Sequence, residues 1–160
     1  RLSETTFDSI HGGGFRCVIY VNKVTLAQHI ALVKGDPATG GPVLVRMHAG
    51  NVFSDLLGQR DTGRGGEIEA SMQAIAKEGR GVLVLIREPL TVMLAEQRRR
   101  AGEKLEPSGA ELRDYGVGAQ ILIDLGAREM VLLTNSKRSI VGLEGFGLKV
   151  VGQKPIPADR

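Results

Sequence analysis

The histidines, carboxylates and lone thiol are the side chains from which a reaction centre could be assembled. The histidines are His11, His29 and His48. They fall in separate segments, and the one carboxylate shortly before any of them is Asp8, so no pair has the close spacing with which a single helix or turn presents two ligands to zinc. Asp55 and Asp61 share a loop-like stretch, but oxygen ligands alone suit magnesium or calcium better than zinc. Cys17 is the only cysteine, which excludes an internal disulfide and a thiolate-rich metal site within one chain. It stands in a β-rich run without a neighbouring His or helix end to activate it, so it reads as a small hydrophobe rather than a nucleophile. Arg98, Arg99 and Arg100 close a helical pattern, where positive charge complements the helix dipole; a solvated face is favoured over an anion or partner site. His48, at the end of a β-rich run, has two readings, a hydrogen-bonded structural residue or a ligand.

These residues need a scaffold, and the composition supplies one. A chain of 160 residues with 42% hydrophobic and 24% charged residues has the make-up of one globular domain, not of a disordered or fibrous chain. With 22 Gly and only 4 Phe, 2 Tyr and no Trp, tight turns are frequent and the core is built from Val, Leu and Ile. The net charge of +3 is modest and the Lys and Arg residues are dispersed, which argues against a nucleic-acid footprint and leaves a small anionic ligand open. No apolar run is long enough to span a bilayer, and the start of the chain lacks a signal-peptide pattern, so no membrane role and a cytoplasmic location are expected.

Residues 1–14 are polar and end in Gly12, Gly13 and Gly14, the pattern of a linker or entry segment, with folding expected to start near Phe15. Short β-rich runs at 15–21, 29–34 and 43–48 are separated by turn chemistry and predict an antiparallel meander. The Pro and Gly cluster at 36–42 cannot continue a strand. Residues 49–66 read as a loop. Ile68, Met72 and Ile75 then follow helical spacing over 67–77, closed by Gly79. The continuous Val and Leu run at 81–86 predicts a strand buried on both faces. A helix over 90–101, a Gly, Pro and Glu stretch, and a helix over 112–125 with Val117, Ile121 and Leu125 on one face come next. The chain ends with a strand at 130–134, a short helix at 140–146 and a strand at 148–151. The fold class is therefore α/β of mixed α+β character, an antiparallel first half followed by alternating strands and helices on a mostly parallel sheet. One domain over 15–155 and a tail at 156–160 complete the organisation.

Five stretches, met in a fixed order, resemble the GTP cyclohydrolase II family: His29-Ile-Ala-Leu-Val-Lys-Gly-Asp36, Leu44-Val-Arg-Met-His48, Ile75-Ala-Lys-Glu-Gly-Arg-Gly-Val-Leu83, Leu112-Arg-Asp-Tyr-Gly-Val-Gly-Ala-Gln-Ile-Leu122, and Leu132-Leu-Thr-Asn135 continuing into Gly142-Leu-Glu-Gly-Phe-Gly-Leu148. The family opens the guanine imidazole ring of GTP and releases formate and pyrophosphate, using zinc held by three cysteines to generate hydroxide from water. The resemblance places those three positions at Asn51, Thr62 and Arg64, none of which is a thiolate. A guanidinium there repels an incoming cation, so no zinc and no other cofactor is expected. Pro89, Leu90 and Thr91 stand where the family has a Glu-Gly-Arg loop toward the phosphates, removing a fork of strong donors. Ser139 replaces a family lysine, although Lys137 and Arg138 are adjacent.

Remnants of the family site remain. The resemblance gives Arg113 the place of the arginine assigned as nucleophile on the α-phosphate, and Glu111 that of a general-base aspartate. Arg46 and His48 keep an Arg-x-His pattern, Thr134 keeps a phosphate-contacting threonine, and Glu67 replaces a substrate-contacting Gln. Arg113 also has a plainer reading, which is favoured, as part of a helix start that packs on the sheet; Glu111 reads likewise as a solvated, dipole-favoured residue. Three functions are weighed. The first is a catalytically degenerate domain of a riboflavin-biosynthesis protein, a homodimer fused to an upstream 3,4-dihydroxy-2-butanone 4-phosphate synthase that it supports structurally or regulates. The second is a nucleotide or phosphate sensor binding GTP or phosphate weakly through Arg46, Arg87, Arg113 and Thr134. The third is an active cyclohydrolase with an atypical metal site.

Overall fold

The computed structural model describes residues 1–60, 62, 65–106, 109–135 and 142–157, and within helices it does not define the side chains of Ala110 and Glu111. Seven strands form one mixed sheet in the order β1-β2-β3-β5-β4-β6-β7: β1 is Ser3–Ser9, β2 Gly13–Val21, β3 Gln28–Lys34, β4 Val43–Gly50, β5 Gly81–Arg87, β6 Glu129–Leu133 and β7 Lys149–Lys154. The helices are α1 Val52–Asp55, α2 Glu67–Glu78, α3 Leu90–Arg100 and α4 Ala110–Asp124. β1, β2 and β3 make the antiparallel meander. β5 then pairs antiparallel with β3 and parallel with β4, and β4, β6 and β7 continue in parallel.

Two features differ from the sequence reading. Residues 3–9 are not open linker: they pair with β2 from Ser3 opposite Ile19 to Ser9 opposite Gly13. The strand lies exposed along its length, so cross-strand pairing rather than burial holds it, and no apolar alternation marks it in the sequence. The run 43–48 is also not the next strand of the meander, because β5 inserts between β3 and β4. Val43, Leu44 and Val45 are all buried, which is the signature of a central strand covered on both faces.

The period of two along these strands sorts the core into halves. Val43, Val45, Val82, Val84 and Ile86 pack with Ala119, Ile121 and Leu122 of α4 and with Leu125 just after it. Leu44 and Leu83, alternating with them, pack with Met72 and Ile75 of α2. The sheet is thus covered by α4 on one face and α2 on the other. Gly81 lets α2 come close, for a Cβ there would lie 2.8 Å from both Ile75 Cγ2 and Leu44 O. The Pro and Gly turn at 36–42 is pinned by Arg80, which donates to Asp36 O at 2.8 Å, to Pro42 O at 3.1 Å and to Gly41 O at 2.5 Å. The short helix expected at 140–146 is seen as helix at 142–144, followed by a turn; residues 140 and 141 lie outside the described residues.

β4, β5 and β6 run in the same direction, so Gly50, Arg87 and Leu133 finish at one edge of the sheet. α4 returns to β6 through four residues, 125–128, which points its N-terminal turn toward that same edge. Ligands of open α/β sheets bind at such an edge.

Candidate functional site

Arg46 and His48 are alternate residues of β4, on the α2 face with Leu44. Both are buried, as are Asn51, Ser54 and Thr134. Arg46 donates through Nη1 to Leu133 O at 3.3 Å and through Nη2 to Glu67 Oε2 at 3.4 Å, with His48 Nδ1 3.2 Å from Nη2. A guanidinium can only donate, so Nδ1 of His48 holds a lone pair and the ring proton sits on Nε2. That Nε2–H donates to Asp55 Oδ2 at 3.0 Å, and the same oxygen accepts from Asn51 N at 2.8 Å. Glu67, Arg46, His48 and Asp55 thus form a continuous chain of charge-assisted contacts in which both imidazole nitrogens are engaged.

Beyond β4 the chain turns at once into α1, a helix absent from the loop expected at 49–66. Its cause is Asn51, extended at φ −136°, whose Oδ1 accepts from Phe53 N at 2.9 Å and Ser54 N at 3.3 Å. An Asn at the N-cap satisfies donors that the first turn leaves open. α3 covers this segment from outside: Asn51 Nδ2 donates to Glu96 Oε2 at 3.4 Å, Val52 N points to Met93 Sδ at 3.5 Å, and Gln59 and Gln97 exchange amide hydrogen bonds at 2.8 and 2.6 Å.

Asn51, which the sequence resemblance sets at the first zinc position, is therefore committed to the backbone. Its oxygen caps α1, its nitrogen faces a carboxylate, and the neighbouring His48 has no ring nitrogen turned to a vacant coordination place. Thr62 stands in a bend, half-buried, and Arg64 lies outside the described residues. Among the described residues no three of His, Cys, Asp and Glu are grouped as metal ligands. An amide oxygen spent on two N–H donors and an imidazole locked between Arg46 and Asp55 do not fit a zinc ion.

The remaining expected site residues divide between this network and the sheet edge. Glu67, at the first turn of α2, joins the network through Arg46. Thr134 follows β6 directly after Leu133, with its N–H donating to Lys154 O at 2.9 Å and its carbonyl accepting from Gln153 Nε2 at 3.2 Å. Arg113 is exposed in the first turns of α4, the helix on the opposite face from Arg46 and His48. Glu111 belongs to the same turn, its side chain outside the described residues. Pro89 is the N-cap of α3 without a side-chain cap bond, so the helix starts directly where the family's Glu-Gly-Arg loop would be. Lys137, Arg138 and Ser139 lie outside the described residues. Sequence reasoning missed Asp55 as the partner of His48, and Met93 and Glu96 as the cover of α1. The Asn-x-x-x-Asp spacing from 51 to 55, an N-cap with an acid closing the first turn, is the signal that could have found the former. Among the described residues no helix is long and apolar enough to cross a membrane.

Comparison with known proteins agrees with this architecture. The chain is 41% identical over 156 residues to the riboflavin biosynthesis protein RibBA of Bacillus cereus, covering 90% of this chain and 39% of that protein. It is 37% identical over 174 residues to RibBA of Mycobacteroides abscessus, covering 98% of this chain and 42% of that protein. The crystal structure of RibBX, a two-domain 3,4-dihydroxy-2-butanone 4-phosphate synthase from A. baumannii, superposes with a TM-score of 0.62 at 30% identity, covering 99% of this chain and 40% of that one. The chain thus spans about two fifths of the length of the curated relatives it matches. The family model described as GTP cyclohydrolase II matches residues 1–155, and the chain belongs to that family, as a domain of the kind carried by riboflavin biosynthesis proteins.

Proposed function

We propose that this domain is a catalytically degenerate GTP cyclohydrolase II domain, whose role is to support or regulate a 3,4-dihydroxy-2-butanone 4-phosphate synthase domain upstream in the same riboflavin-biosynthesis protein. The observation that carries the reading is Asn51. Where the family reaction needs a thiolate on zinc, this side chain caps α1 and faces Glu96, and the neighbouring His48 is closed off between Arg46 and Asp55. Without a metal to lower the pKa of water to about 7, no hydroxide forms at neutral pH to open the imidazole ring. The start of α3 at Pro89 supports the same reading, because no arginine of that turn is left to meet a triphosphate. A solved relative described as a two-domain synthase shares this fold across nearly the whole chain. In this reading the domain acts in the cytoplasm as part of a homodimer. Arg113 belongs to the helix start. The guanidinium of Arg46 is engaged by Leu133 O and Glu67, which disfavours the phosphate-sensor alternative.

One purified sample tests the proposal. Elemental analysis should find no stoichiometric zinc, and incubation with GTP should release no formate. Formate release that is lost on chelation would overturn the reading. So would a synthase whose activity, stability and oligomeric state are all unchanged on deletion of this domain.

A further inference from the structure

A cavity opens on the α4 face, away from the Arg46–His48 network. Its volume is about 510 Å³, and it is bounded by the end of β2, the turn that follows, His29 at the start of β3, and the side of α4 from Val117 to Asp124. Pockets that bury a small organic molecule have this size, with apolar walls and a few placed polar groups. Val21, Val117 and Ile121 supply apolar wall, while Val24 stands exposed at the rim.

The polar groups are mostly donors. His29 is 96% removed from solvent, being 4% exposed. Its Nδ1 accepts from Arg87 N at 3.0 Å, so the proton is on Nε2, and that N–H is the ring's remaining polar group in the cavity wall. Burial, aided by the charge of Arg87, lowers the pKa of His29 and keeps it a neutral donor. Asn22, also in the lining, spends its Oδ1 on Val24 N and Thr25 N. Lys23 and Gln120 stand at the rim. Asp124 is the one carboxylate of the lining, and its Oδ2 already accepts from Arg1 Nε and Tyr20 Oη, each at 2.7 Å. The rim is held by a turn in which Leu26 adopts φ 62°, closed by Leu26 N to Asn22 O at 2.7 Å and Asn22 N to Ala27 O at 2.8 Å.

We propose that this cavity is a binding site for a small organic anion, an apolar body lying against Val117 and Ile121 with its phosphate or carboxylate oxygen on the Nε2–H of His29 and the ammonium of Lys23. His29 lines the cavity, so an acceptor atom of a ligand can meet its N–H there. The walls supply the apolar area that turns one polar contact into measurable affinity.

The test is a titration of the ¹⁵N-labelled protein with 4-nitrophenyl phosphate, benzoate and inorganic phosphate, observing the imidazole nitrogens and the backbone amides. Saturable shifts at His29, Val117 and Gln120 are expected from 4-nitrophenyl phosphate or from benzoate, and which of the two binds identifies the head group. Inorganic phosphate, lacking the apolar body, should bind about tenfold more weakly or less, the loss expected from a small apolar contact. Gln120→Trp, at an exposed position of α4, should block the cavity and reduce affinity about tenfold without unfolding the protein. His29→Ala should do the same. If that variant does not fold, Gln120→Trp decides alone. The proposal is overturned if neither organic anion saturates by about 10 mM, if inorganic phosphate binds as well as they do, or if Gln120→Trp binds like the parent.

Discussion

Asn51→Ala separates the two roles open to the first zinc position. In this structure Asn51 is 6% exposed and its Oδ1 satisfies Phe53 N and Ser54 N. Removing an Asn cap costs about 0.5–2 kcal/mol. The upper part of that range applies here because Ser54 is buried and its N–H would find no water in place of the amide oxygen. The contact to Glu96, at 3.4 Å, is long and adds little. The expected loss is therefore about 1–2 kcal/mol, which in a domain of this size lowers the melting temperature by about 2–8 °C. Asn51→Asp keeps an acceptor for both N–H groups and favours the helix dipole, but sets a second carboxylate against Glu96. It should lose less than Asn51→Ala.

Thermal unfolding read by circular dichroism, with and without EDTA, measures both effects. A chelator should leave the parent's midpoint where it is, because a ligand stabilises a fold only by binding it. If EDTA lowers the parent's midpoint and Asn51→Ala abolishes that response, Asn51 is a metal ligand and the capping argument is wrong. An unchanged midpoint in Asn51→Ala would equally refute it.

Gly81→Ala should destabilise the domain by about 1–3 kcal/mol in urea titration, since the new methyl is driven against backbone as well as side chain where α2 meets β5. Tyr20 has its pKa raised, first by burial and then by its bond to Asp124. Stability from this residue is present below pH 10, the ordinary phenol value, and falls as the pH rises toward the higher folded value; Tyr20→Phe should flatten that alkaline fall. His29 has its pKa lowered, so the unfolded chain takes up the proton first, and stability present above pH 6.5 is lost as the pH falls below it. His29→Gln, whose side-chain carbonyl can accept from Arg87 N, should make unfolding free energy less pH-dependent between neutral and mildly acidic buffer; an equal slope in both proteins would refute the assignment.

The fold was legible wherever burial follows a simple period. β5, α2 and α4 were visible because Val82, Leu83 and Val84 are buried on both faces, while Met72 and Ile75, and Ile121 and Leu125, each mark one side of a helix. β1 was not, because Ser3–Ser9 gains its place from main-chain pairing with β2 and buries almost nothing. The position of β4 was misread because turn chemistry at 36–42 resembles a hairpin, whereas neighbour order is decided by long-range pairing that no local signal carries. Within the site, the resemblance brought Arg46, His48 and Glu67 to notice separately. Their connection depends on Asp55, seven residues from His48, and on α3, which arrives from beyond β5.

Those same contacts explain how the segment after β4 keeps its shape. A metal-bound loop is ordered by its ligands. In this chain residues 51–59 are held instead from three directions: Asn51 caps α1 from within, His48 and Asp55 tie it to β4, and Met93, Glu96 and Gln97 fasten it to α3. Each bond is worth only about 0.5–1.5 kcal/mol, or somewhat more where a charge takes part. Their value lies in sharing residues, so that α1, the end of β4 and α3 order one another. His48, with both ring nitrogens engaged, is part of that fastening. The network thus orders the end of β4, α1 and α3 as one unit.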